Sequence, residues 1–139
     1  MKPITRIAAV VGAAASLALA LPAAAFAGPD GACYSGRACL YKAPDFNNGF
    51  SDLWVEFGAD DADLRDNRLR FGDHAIAFWS RVDNETSSVK NDSTCNITLW
   101  QNRFFTGAHT TFAPGSVDGY LLNDAVGDNN ASSIQVSCR

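Results

Sequence analysis

An all-β domain of two stacked sheets is what this sequence predicts, and three observations lead there. Short runs rich in β-branched and aromatic residues recur along the chain. Clusters of Asn, Asp, Gly and Pro separate them. A six-residue box, Asp83-Asn84-Glu85-Thr86-Ser87-Ser88, returns as Asp128-Asn129-Asn130-Ala131-Ser132-Ser133, with four of six positions identical. A repeat of this kind points to two copies of one supersecondary unit. Four strands in each make about eight antiparallel strands. Strands with one apolar face bury it by stacking two sheets.

Taken in order, the chain opens with a basic stretch at Lys2 and Arg6. Ile7 to Leu21 is apolar and rich in small residues, about a signal peptide's length and short for a membrane span. Ala25-Phe26-Ala27 is a cleavage pattern. Residues 1–27 are therefore expected to be a removed signal peptide and 28–139 a single exported domain, monomeric and with no membrane association after cleavage. Loss of Lys2 and Arg6 leaves nine basic residues against 15 acidic ones, a net charge of −6. With no basic stripe to displace phosphate counterions, nucleic acid is a poor partner. Acidity suits cation binding, though it also serves solubility alone.

Expected strands are Ala38–Tyr41, Asp52–Phe57, Ala75–Val82 and Ser87–Lys90, then Asn96–Trp100, His109–Phe112, Gly119–Leu122 and Ser132–Ser137. Alternation is clean in two of them: Ile97 with Leu99, and Ile134 with Val136, share a face. Ala59–Arg70 reads as a helical turn or an acidic loop. The repeat extends beyond the boxes. Tyr41-x4-Phe46 matches Trp100-x4-Phe105, and glycine follows each, at Gly49 and Gly107. Motif one spans about 38–92 and motif two about 95–138. Motif one is longer by about 14 residues, placed by the sequence in the loop Gly58–Gly72. Two aromatics five positions apart across a tight turn can pack over a folded hairpin, with glycine supplying positive φ. The serines can clasp that hairpin by bonding its backbone. A clasp with no ligand and a pair of cation sites are equally compatible with these residues.

Cys33, Cys39, Cys95 and Cys138 form an even set in an exported chain, which reads as two disulfides. Three pairings are possible. The short, small-residue loop between Cys33 and Cys39 can close locally, which would leave Cys95 for Cys138. With no C-x-x-C and neither His74 nor His109 near the cysteines in sequence, a zinc site is the weaker reading.

The doubled pattern, aromatic-x4-Phe followed by glycine and then (Asn/Asp)-(Asn/Asp)-x-x-(Ser/Thr)-Ser, resembles the βγ-crystallins, in particular their microbial calcium-binding branch. The opening Cys33-x5-Cys39-Leu40-Tyr41 is also similar to the secreted actinobacterial proteins of peptidase inhibitor family I36, typified by the metalloproteinase inhibitor of Streptomyces. The resemblance implies a sandwich of two Greek-key motifs in which each sheet runs b-a-d and takes its c strand from the other motif. That topology permits Cys95 to pair with Cys138. It also implies two Ca²⁺ sites shared between motifs. Glu85 (through its carbonyl) and Ser87, with Asn129 or Asp128, would hold one ion. Asn130 and Ser132, with Asn84 or Asp83, would hold the other, and the carbonyls of Pro44 and Arg103 are further candidates. The extra residue before Gly49 would weaken the first site.

The functional classes that follow are an inhibitor of an extracellular protease, a calcium-binding structural or stress protein, and a killer-toxin-like antimicrobial. No reactive bond transfers, because Cys95 lacks the neighbouring cysteine of the family's inhibitory loop. Thr106–Thr111 and Val117–Gly127 are substitute loops. No cationic amphipathic segment supports the toxin. The chain lacks Gly-x-Ser-x-Gly, H-E-x-x-H and phosphate-loop motifs, so no enzyme is expected. Asp60, Asp61 and Asp63 read as a solvated face. Trp54, Trp79 and Trp100 read as core or strand-face residues, while an exposed tryptophan would point to carbohydrate.

Overall fold

A computed structural model describes residues 33–48, 53–71 and 75–138. The expected signal segment, Gly49 and His74 lie outside the described residues. Among the described residues there are nine strands: β1 (Ala38–Tyr41), β2 (Leu53–Phe57), β3 (Arg68–Phe71), β4 (Ala75–Arg81), β5 (Ser88–Asn91), β6 (Asn96–Asn102), β7 (Thr106–Phe112), β8 (Val117–Asp118) and β9 (Ser133–Ser137). They form a six-stranded sheet, β4-β3-β2-β1-β5-β8, and a three-stranded sheet, β7-β6-β9. All pairings are antiparallel.

The sheets meet over one apolar core. Leu40, Val55 and Leu69 enter it from the first sheet, and Ile97, Leu99 and Ile134 from the second. β1 is buried on both faces. Ala38 and Leu40 point into this core, while Cys39 and Tyr41 form a smaller outer cluster with Trp54, backed by Cys33 and Phe46. In that cluster burial, with the Asp92 charge second, pushes the Tyr41 hydroxyl up to about 12. Both disulfides form as Cys33–Cys39 and Cys95–Cys138.

Several expectations change. Of the two readings of Ala59–Arg70 the helical turn is absent and the acidic loop is present up to Asn67, after which β3 takes over; Asp61 organises the loop, accepting the Asp63 amide at 2.9 Å and the Asn67 side chain. The 119–122 stretch is not a strand: β8 ends at Asp118 and Leu121–Asn123 is a 3-10 turn. The exchange of c strands is unequal. β8 of motif two pairs β5 in the first sheet, Val89 opposite Asp118. The return exchange shrinks to one bridge, in which Asp61 N–H donates to Ile134 O at 2.8 Å and Ile134 N–H donates to Asp61 O at 2.9 Å.

That bridge relocates the insertion. Leu64 N–H donates to Ser132 O at 3.0 Å, and Leu121 N–H donates to Ser87 O at 2.9 Å, so Leu64 and Leu121 are counterparts. Most of the additional length therefore lies after Leu64, in the β3–β4 hairpin, which widens the first sheet. The Gly58–Gly72 loop holds only its first strand.

Candidate functional site: the two boxes at the motif junction

A local two-fold relation joins the boxes. Ser87 N–H donates to Tyr41 O and Ser132 N–H to Trp100 O, both at 2.8 Å. Across the junction, Asn84 N–H donates to Ala131 O and Asn129 N–H to Thr86 O, both at 2.9 Å. Asn84 and Asn129 have φ of 56° and 52°. Asn tolerates this left-handed backbone better than most residues, because its short polar side chain bonds locally.

Within each serine pair the two hydroxyls take different work. The second serine is a clasp. Ser88 Oγ donates to Ala43 O at 2.7 Å and accepts the Phe46 amide at 3.0 Å. Ser133 Oγ donates to Asn102 O at 2.7 Å and accepts the Phe105 amide at 3.2 Å. Both hairpins are seated alike at this point despite the extra residue before Gly49. The first serine faces the other motif: Ser87 Oγ donates to Asn129 Oδ1 at 3.3 Å, and Ser132 Oγ to Asn84 Oδ1 at 3.4 Å. Ser88→Ala would leave a buried carbonyl and an amide unpartnered, so it should destabilise by about 2–3 kcal/mol. Chemical denaturation checks this, and a loss no larger than that of Ser87→Ala would refute the clasp.

The hairpins reach left-handed backbone without relying on glycine alone. Asp45, Phe46 and Asn47 have φ of 51°, 59° and 67°; Phe104 and Phe105 have 60° and 57°, followed by Gly107 at 86°. Asn47 secures the first turn, accepting the Ala43 amide and donating to Leu53 O, both at 2.9 Å. Tyr41 and Phe46 pack edge to face at 5.8 Å as expected, whereas Trp100 lies against His109 at 4.1 Å.

Two clefts flank the junction. One, of about 490 Å³, is lined by Lys42, Pro44, Asn84, Glu85, Ser87, Tyr120, Asp128 and Asn129. The other, of about 460 Å³, is lined by Asp83, Asn84, Arg103, Phe104 and Ser132, with Arg65. The side chain of Asn130 turns toward Gly127, its amide nitrogen 3.1 Å from where a Cβ there would stand, which leaves only its backbone carbonyl as a candidate ligand. Each cleft is lined by one aspartate of its box, Asp128 or Asp83, whose Oδ1 is buried with no hydrogen-bond partner. The other oxygen of each carboxylate accepts from its own Asn amide, Asn129 at 3.1 Å and Asn84 at 3.2 Å.

Comparison with known proteins identifies the architecture. No family model matches the chain, and no curated protein does. Solved structures do. One described under the evolution of the eye-lens βγ-crystallin domain fold gives a TM-score of 0.59 at 16% identity, over 78% of this chain and 92% of that one. A βγ-crystallin from Ciona intestinalis gives 0.54 at 15%, over 73% and 100%. The chain has the βγ-crystallin fold. Spherulin 3a of Physarum polycephalum is a further match, 0.53 at 19% over 81% and 92%. These identities carry the fold alone.

The charges around the two boxes differ between clefts. In the first, Lys42 pairs with Glu85. Beside the second, Arg65 grips Asp63 through two bonds of 2.8 and 2.6 Å, with Arg103 at 3.7 Å. The Arg65 guanidinium holds the Asp63 carboxyl well below the usual carboxylate range. Among the described residues no group of three or more His, Cys, Asp or Glu could hold a metal. Any cation here would have to be held by mixed oxygens.

Sequence reasoning missed Asn91, whose buried amide donates to Cys95 O, Phe112 O and Ala113 O at 2.9, 3.0 and 2.9 Å. It ties the junction between motifs, and its only sequence signal is an Asn just after a strand.

Proposed function

We propose that this is an exported βγ-crystallin-fold protein whose boxes hold two calcium ions between its motifs. The single observation that carries the reading is the pair of buried, unpartnered carboxylate oxygens, Asp128 Oδ1 and Asp83 Oδ1, one from the aspartate lining each cleft. A desolvated carboxylate oxygen without a partner is costly, and a hard cation satisfies it. Asp128, Asn129, Ser87 and the carbonyls of Glu85 and Pro44 would hold the first ion. Asp83, Asn84, Ser132 and the carbonyls of Asn130 and Arg103 would hold the second. One carboxylate with amide, hydroxyl and carbonyl oxygens suits the weak range of extracellular modules, about 10⁻⁴–10⁻³ M. The bound ion would supply cross-motif stability rather than chemistry. The first cleft, with Glu85 and Asp128 against Lys42, is the more anionic; Asp83 faces both Arg65 and Arg103 in the second. The first ion should therefore bind more tightly. Calorimetric titration of the oxidised protein beside Ser87→Arg with Ser132→Arg tests this; no heat in the unsubstituted protein would sink it.

A second reading, inhibition of an extracellular protease in the manner of family I36, has support in the 117–127 segment. Tyr120 and Leu122 stand exposed there, while Leu121 is buried and bonded to Ser87 O. Exposed side chains on a pinned backbone lose little entropy on binding. The Thr106–Thr111 alternative is withdrawn, because those residues form strand β7. Titration of bacterial metallo- and serine proteases with excess protein would dispose of this reading if all kept full activity.

A further inference from the structure

We infer that the inserted β3–β4 hairpin is a docking element for an anionic lipid surface. The hairpin takes no part in the boxes or their clefts, and motif two has no counterpart to it. Yet it bears the most exposed large apolar side chains described: Phe78 at 78% and Trp79 at 75%, with Ile76 at 47%. Trp79 rests on Phe71, ring centroids 5.5 Å apart, which makes the patch continuous with the core edge.

The backbone presents these rings deliberately. Arg70 stands opposite Ile76 and Arg68 opposite Arg81, so the four residues Ala77–Ser80 face Leu69 alone. Within that bulge Ala77 and Ser80 turn inward and are buried, while Phe78 and Trp79 are thrust out. A bulge re-aims side chains and spoils the edge for regular pairing, which argues against a second copy adding to the sheet here.

Charge selects the partner. Arg68, Arg70 and Arg81 flank the rings, and the described residues of β3 and β4 contain no Asp or Glu. None of the three is within 4 Å of a described carboxylate. In a chain of net charge −4 the described residues of these two strands carry only positive charge, with Arg68 and Arg70 also bordering a cleft that holds Glu56, Asp60, Asp61 and Asp66, and the acidic remainder would orient the ring-bearing face toward an anionic plane. Tryptophan and phenylalanine settle at the headgroup boundary, and arginines reach lipid phosphates with their stems lying along apolar surface. Trp79 packs on Phe71, and the described residues of β3 and β4 include no Asp, Glu, Asn or Gln to accept from the hydroxyls of a sugar laid on its ring.

The test uses the chain from Gly28, which keeps both disulfides and every described strand, in cosedimentation with vesicles. Vesicles of mixed phosphatidylglycerol and phosphatidylcholine should bind it at low salt, with a blue shift of tryptophan emission; pure phosphatidylcholine should not. Phe78→Ala with Trp79→Ala should weaken binding at least ~10-fold. Arg70→Gln and Arg81→Gln should each weaken it about fivefold, and high salt should weaken it too. Melting curves confirm that these surface variants fold. Absence of binding, or equal binding by the Phe78/Trp79 variant, overturns the inference. So does self-association through the patch, or retention on an insoluble polysaccharide, without vesicle binding.

Discussion

About 10 mM calcium is expected to raise the melting temperature of the oxidised protein by on the order of 10–20 °C, and Ser87→Arg with Ser132→Arg to abolish the rise. At ~10⁻⁴–10⁻³ M affinity, each filled site adds about 1.4–2.7 kcal/mol, and two sites about 3–5 kcal/mol. A domain near this size gains roughly 4 °C per kcal/mol. The arginine variant carries its own risk, because Ser87 and Ser132 are 2% and 7% exposed and a long cation there could unfold the chain. Ser87→Ala with Ser132→Ala is the safer companion. It removes one hydroxyl from each cleft and leaves the Ser88 and Ser133 clasps intact, so it should fold and show a much smaller calcium response. A melting curve unmoved by calcium in the unsubstituted protein would reduce the boxes to hairpin fastenings.

Replacing Cys95 and Cys138 together by alanine should cost about 4 kcal/mol, against about 2.4 kcal/mol for Cys33 with Cys39. The difference comes from loop length: the paired cysteines are 43 positions apart in one case and 6 in the other. Cys95 precedes β6 and Cys138 follows β9, which are neighbours with Asn96 opposite Ser137. The bond therefore closes motif two across its own sheet. Denaturation of both double variants checks the order; equal losses would show that unfolded-chain entropy does not set the difference.

Much of this was legible because it is written locally. The repeated box, the aromatic spacing and the turn clusters named the fold and placed the two junction loops. What stayed hidden depends on residues far apart in sequence. Nothing in Ser-Ser says that Ser88 fastens its own hairpin while Ser87 turns to Asn129; successive residues at the start of a strand face opposite sides, and only the second motif's position gives each side its meaning. The charge contrast between the clefts was likewise invisible, since Lys42, Arg65 and Arg103 come from three separate segments. Of the two readings of Trp79, core or strand face, the structure takes the strand face for a related reason. Its strand has the composition of a buried one, AIAFWSR, and only the bulge opposite Leu69 turns its rings outward.

The sequence by itself determined an all-β, two-motif chain with paired boxes, because period-two patterning, turn chemistry and an internal repeat are local properties. Tertiary structure alone decided the rest. The six-and-three division of strands arises because the insertion extends an open sheet edge, and the unequal strand exchange because the Asp61 segment meets Ile134 through a single bridge. The orphaned oxygens of Asp83 and Asp128 are buried only in the folded chain, where a carboxylate oxygen without a partner is costly.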